Sequence, residues 1–207
     1  DHELASERTR EAIEALRQQS ELREDMWVQT GVPLLAEWAL AEAKLARADH
    51  AIAPLQTQLQ ALKSATGVHA AGSMALVQLA LGRCLAVSGR MDEAMPVWSA
   101  ALDEAATRPL LVADLTLQLS AGARQLGQGD LAVRHARRAL VAARDARNLV
   151  KEVESLQALA LALRDVGEMD DAEAQLGEAL NALGRIDQPR LSADLSVLLA
   201  ALLQARG

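Results

Sequence analysis

Residues 81–101 read Leu81-Gly82-Arg83-Cys84-Leu85-Ala86-Val87-Ser88-Gly89-Arg90-Met91-Asp92-Glu93-Ala94-Met95-Pro96-Val97-Trp98-Ser99-Ala100-Ala101. Leu81 and Leu85 stand at helical spacing before Gly89, and Ala94, Trp98 and Ala101 resume that spacing after it. Gly89 ends the first helix by taking a left-handed backbone conformation that other residues resist. Asp92 is then expected to cap the second helix. Ala94 leaves room for two backbones to approach closely, where a larger side chain would hold them apart. The stretch is therefore a tight helix–turn–helix corner.

The corner recurs. Gly127-Gln128-Gly129-Asp130-Leu131-Ala132 and Gly167-Glu168-Met169-Asp170-Asp171-Ala172 repeat it, with the alanines 38 and 40 residues apart. Asp170 and Glu173 resemble a capping box. A weaker copy, Ala46-Arg47-Ala48-Asp49-His50-Ala51, lacks the glycine, and Glu7-Arg8-Thr9-Arg10-Glu11-Ala12 is fainter still. Breaks between hairpins are expected at Gly31-Val32-Pro33, near Gly67, at Arg108-Pro109, near Asn148 and at Gln188-Pro189. One hairpin of about 40 residues cannot bury its own faces, so the units must stack.

Composition agrees. The 207 residues include 43 Ala and 37 Leu but three Trp and no Phe or Tyr, which favours helix and argues against sheet. A hydrophobic content of 51% excludes a disordered chain. The chain opens on Asp1 rather than Met, which reads as a piece of a longer protein.

The series Leu81-Gly82-x-x-Leu85, Gly89, Ala94, Trp98, Ala101 resembles the tetratricopeptide repeat, with Leu85 in the place of its Tyr and Trp98 in that of its Phe. The later copies keep Gly127, Ala132, Ala139 and Gly167, Ala172, Ala179, but carry Ser120 and Ala160 at the second glycine position. The repeats exceed the family's usual length, and in this they look like those of MalT-type bacterial regulators. The resemblance implies an all-α, TPR-like α-solenoid: a right-handed superhelix of stacked antiparallel hairpins with about 8–9 helices. Residues 1–207 form a single repeat domain in this reading. Residues 1–30 are the second helix of a partial repeat, with Ile13, Leu16 and Met26 as its apolar positions. Residues 33–66, 70–107, 110–148 and 150–184 are repeats, and 190–206 form a capping helix with Leu191, Leu195, Leu198 and Leu202 on one face.

The resemblance further implies that the first helix of each pair lines a concave groove. Counted back from the corner, one column holds Leu79 and Leu117, another Arg83 and Leu161, a third Arg124 and Arg164, and a fourth Lys44, Gln125 and Asp165. The floor is mostly apolar with a few cations. Arg124 and Arg164, in one column a repeat apart, suit the carboxylates of an acidic or helical partner. The Lys and Asn set with which some family members clamp a peptide C-terminus is absent from these columns, so that ligand is not expected.

The remaining features exclude rather than assign. Cys84 is the single cysteine, so no intramolecular disulfide or cysteine-based metal cage forms, and it reads as a small buried hydrophobe. Its usage suits a cytoplasmic location. No run is long and apolar enough for a membrane span. The net charge of −7 and the lack of aromatic interleaving argue against nucleic acid, and Arg134, Arg137, Arg138, Arg144 and Arg147 read as a solvated helix face. Gly127-Gln128-Gly129 lies between helices and carries no cofactor fingerprint. Asp170, Asp171 and Glu173 lack calcium-loop spacing. His2, His50, His69 and His135 show no recurring ligand spacing and read as surface or packing residues. No cofactor, metal or enzymatic activity is expected. The expected function is a protein-binding scaffold in a larger bacterial protein, or the sensing region of a transcriptional or signalling regulator. The apolar Leu191–Leu203 face allows a homodimer.

Overall fold

The computed structural model describes residues 2–20, 27–64, 70–184, 193, 195–200 and 204. Nine α-helices, a further helical stretch at 195–200 and no strand occupy the described residues, so the chain is all-α as expected. They fall into two compact units, Asp1–Arg108 and Pro109–Gly207, where the repeats alone suggest one stack. The boundary is the Arg108-Pro109 dipeptide, at which proline disfavours helix in the residue before it.

In the first unit, α1 (His2–Ser20) packs on α2 (Val32–Lys44). Then follow α3 (Asp49–Ser64), α4 (Ala70–Val87) and α5 (Met91–Glu104). The expected break at Gly31-Val32-Pro33 is not one. Trp27–Gly31 forms a π-helical turn that runs into α2, with Gly31 itself in the right-handed region. Pro33 sits in the first turn of α2, where its fixed φ suits the helix. Ile13 is buried, whereas Met26 and the Leu16 side chain lie outside the described residues.

In the second unit, α6 (Pro109–Gln125) pairs with α7 (Gly129–Asp145), and α8 (Leu149–Asp165) pairs with α9 (Met169–Leu183). Residues 195–200 are helical, and Leu195 and Leu198 join the core formed by α8 and α9. The rest of the expected capping helix, Leu191 and Leu202 included, lies outside the described residues.

The corners follow from backbone chemistry. Gly89, Gly127 and Gly167 have φ of 76°, 71° and 89°. At each, the N–H of the residue after the glycine returns to a carbonyl five back: Arg90 to Leu85 at 2.8 Å, Gln128 to Ala123 at 2.8 Å and Glu168 to Leu163 at 2.9 Å. A Cβ at these glycines would meet nothing within 4 Å, so φ alone demands glycine. The glycine-free copy turns in the same way, with Ala46 at φ 58° and Arg47 N–H on Glu42 O at 2.9 Å. Arg147, at φ 51°, makes a fifth such corner between α7 and α8.

The aspartates do not cap. Arg90, Gln128 and Glu168 occupy the N-cap positions and make no side-chain cap bond. One residue thus closes the corner and opens the next helix, which moves Asp92, Asp130 and Asp170 into the first turn. There their charge meets the positive end of the helix dipole. Asn148 does cap α8, accepting from Lys151 N–H at 3.0 Å.

Packing explains the small residues. Ala51, Ala94, Ala132 and Ala172 are wholly buried. In the first unit the Trp98 ring lies on Gly82, where an added Cβ would collide with Nε1, and that N–H donates to Leu79 O at 3.2 Å. The equivalent positions hold Ala39 and Leu55, Ser120 and Ala136, and Ala160 and Leu176, so each repeat keeps a small residue at the first position and varies the second. Cys84 is buried, as expected, and its Sγ faces Ala39 O at 3.5 Å. Burial, aided by the charges of Glu42 and Asp49, pushes its thiol up to about 11.

Candidate functional site

The first helices of the second unit, α6 and α8, are neighbours. Near their C-termini, Arg124 Nε donates to Asp165 Oδ2 at 2.7 Å and Arg164 Nη2 donates to Asp165 Oδ1 at 3.0 Å. The two column arginines are thus brought together on one carboxylate. Burial raises the Asp165 pKa, but the hydrogen bonds from Arg124 and Arg164 outweigh it and hold the carboxyl below its ordinary range.

A second cluster joins the other ends of the same helices. Lys151 Nζ lies 2.7 Å from Asp114 Oδ1 and 2.8 Å from Glu154 Oε2. Burial disfavours its charge, yet the hydrogen bonds to Asp114 and Glu154 prevail and raise the Lys151 pKa. The helices therefore run side by side in the same direction, with an Arg–Asp–Arg group at one end and an Asp–Lys–Glu group at the other. Leu117 and Leu161 are half-buried, and Ala121 and Gln125 are exposed, on the same helices.

The candidates of the first unit differ. Leu79 is 5% exposed and belongs to the core, because α4 is flanked by α2, α3 and α5. Arg83 is half-buried and Lys44 is exposed at the end of α2.

Sequence reasoning missed one pair of residues, one contact of a groove residue it had named, and one buried carboxylate. Asp114 and Glu154 share a column, thirteen residues before Gly127 and Gly167, so repeat alignment could have found them. Asp165 shares the column of Lys44 and Gln125, and nothing in spacing shows that it faces both arginines. The third is Glu42, a carboxylate buried on α2. It accepts from Ser6 Oγ at 2.5 Å and Arg47 Nη2 at 3.2 Å, and its other oxygen lies 3.3 Å from His50 Nδ1.

On α7, Arg134, Arg137 and Arg138 are exposed, while Arg144 pairs with Glu152 at 2.8 Å and with Glu178. His135 is half-buried, and burial followed by the charges of Arg138 and Arg134 lowers its pKa. Among the described residues no group of His, Cys, Asp and Glu is placed to hold a metal ion, and no helix is long and apolar enough to cross a membrane.

No protein-family model and no curated protein sequence matches the chain. Solved structures do resemble it. BtubC (BKLC) from P. vanneervenii superposes with a TM-score of 0.86 at 17% identity, covering 100% of this chain and 85% of that one. The apo form of RapI gives 0.77 at 13% identity, covering 95% of this chain and 55% of that one. TTC0263, a thermophilic TPR protein of Thermus thermophilus, gives 0.58 at 21% identity, covering 97% and 93%. Positive-φ corners, buried corner alanines and these likenesses agree, and the chain has the all-α fold of a tetratricopeptide-repeat protein.

Proposed function

We propose that the chain is a non-catalytic interaction module of the cytoplasm, and that the open face of α6 and α8 docks a segment of a protein partner. The observation that carries this reading is the Arg124–Asp165–Arg164 group. Two guanidiniums share one carboxylate, so the group as a whole is positive on an open face of an acidic chain. At the opposite end Lys151 stands between two carboxylates, and that group as a whole is negative. A segment with an acidic end and a basic end complements both, and half-buried Leu117 and Leu161 offer apolar contact between them. The guanidiniums already hold an aspartate, so the geometry a partner carboxylate needs is built before it arrives.

The test is a titration of the purified partner, recovered by crosslinking in the native cell, against Arg124→Gln/Arg164→Gln. Affinity should fall at least about tenfold, with the loss shrinking at high salt. The charge-reversed pair Arg124→Glu/Arg164→Glu should abolish binding without unfolding the chain. Unchanged affinity in either folded variant contradicts the assignment.

A further inference from the structure

Glu42 is out of place in its column. Four residues before the corner, the other repeats bury Leu85, Ala123 and Leu163, whereas α2 buries a carboxylate there. Taking a charge out of water is costly, and a leucine in that position would serve packing better. A cleft of about 630 Å³ opens beside it between α1, α2 and α3. That volume suits a small ligand.

The cleft has an apolar floor and charged walls. Ile13, Leu35 and Trp38 supply the floor, and Trp38 takes the column position of Leu81, Leu119 and Leu159. Glu42 is committed to Ser6, Arg47 and His50, and Glu14 pairs with Arg10 at 3.4 Å. Glu7 lines the cleft, is exposed, and makes no ion pair among the described residues. Arg47 also lines it, and its Nε is buried with no acceptor although two of its other nitrogens are bonded. That Nε is closed off from the cleft, whereas Nη1, held by exposed Glu3 at 3.4 Å, has a second N–H to offer.

We propose that this cleft binds a small organic cation carrying a hydrogen-bond acceptor. Its ammonium or guanidinium group pairs with Glu7 and lies against the Trp38 ring, where cation–π attraction adds to the ion pair. Its carbonyl or carboxylate oxygen accepts from Arg47 Nη1, whose only bond among the described residues is the exposed one to Glu3 at 3.4 Å. Glu42 acts through its neighbours: it fixes the Arg47 fork and ties α1 to α2 through Ser6, which holds the cleft walls together. This site lies wholly within the first unit and does not depend on the docking face of α6 and α8.

L-Arginine is the direct probe, because it carries a guanidinium and a carboxylate on a short apolar stem. Calorimetric titration of the full chain should show one saturable site with a dissociation constant of about 1 mM or tighter. L-Citrulline keeps the α-amino-acid group and loses only the guanidinium charge that pairs with Glu7, and should bind at least about tenfold more weakly. Agmatine keeps the charge and lacks the carboxylate, and should also bind more weakly. Glu7→Gln, an exposed change that leaves the fold intact by circular dichroism, should weaken L-arginine about fivefold and leave L-citrulline unaffected. Equal or tighter binding of Gly-Gly-Arg would identify a peptide-borne arginine as the source, and binding of free arginine alone a metabolite. No saturable L-arginine binding, equal binding of L-citrulline, or an unchanged affinity in Glu7→Gln would overturn the proposal.

Discussion

Trp98→Ala is expected to cost the first unit about 3–5 kcal/mol, the range for emptying a buried aromatic site. The ring is 1% exposed, and the substitution removes both its packing and its N–H bond to Leu79 O. A second substitution makes the test specific. Gly82→Ala alone should cost about 1–3 kcal/mol, because the new Cβ would enter the pinned indole. In the Trp98→Ala background that clash is gone. Alanine then gains its ordinary advantage over glycine within a helix, about 1 kcal/mol, and the sign of the effect reverses. Urea unfolding of the four proteins of this cycle measures it. A Gly82→Ala effect that is the same in both backgrounds would show that the two residues are not in contact.

Ala172→Leu should destabilise the second unit by about 1–3 kcal/mol, and Ala132→Leu by a similar amount. Both alanines are wholly buried just inside a second helix, where that helix meets the first helix of its pair. Ala174 lies two residues further along α9 and is exposed, so Ala174→Leu should move stability by no more than about 0.5 kcal/mol. Thermal melts should separate them by several degrees, since about 1 kcal/mol shifts a unit of this size by roughly 4–8 °C. Equal melting of Ala172→Leu and Ala174→Leu would mean the hairpin register is misassigned.

The corners were the most legible part of this chain, for a physical reason. A left-handed residue is conformationally expensive except for glycine, so Gly89, Gly127 and Gly167 announce their backbone directly, and repeat alignment carries the assignment to Ala46. Arg147 takes the same conformation with no such signal, and only Asn148 after it hints at a helix start. The capping role assigned to Asp92, Asp130 and Asp170 failed because helix end and helix start share one residue, a compression that composition does not reveal.

The candidate site was legible by halves. Column alignment placed Arg124 and Arg164 together, because repeats bring equivalent positions to neighbouring helices. It did not show that Asp165 would hold both, since that contact runs diagonally between columns. Leu79 fails as a groove residue because helical spacing marks an apolar face without saying how many helices cover it. Glu42 was missed because an isolated glutamate between Ala41 and Ala43 looks like any solvated helix charge until its burial is seen.

The docking face is tested most directly by where a partner touches the second unit. A photo-crosslinking side chain at Ala121, exposed on α6 between Leu117 and Arg124, should capture the partner. The same group at Val141, 59% exposed on α7, should not. Capture from Val141 together with silence at Ala121 would place the partner on the second helices and contradict the assignment.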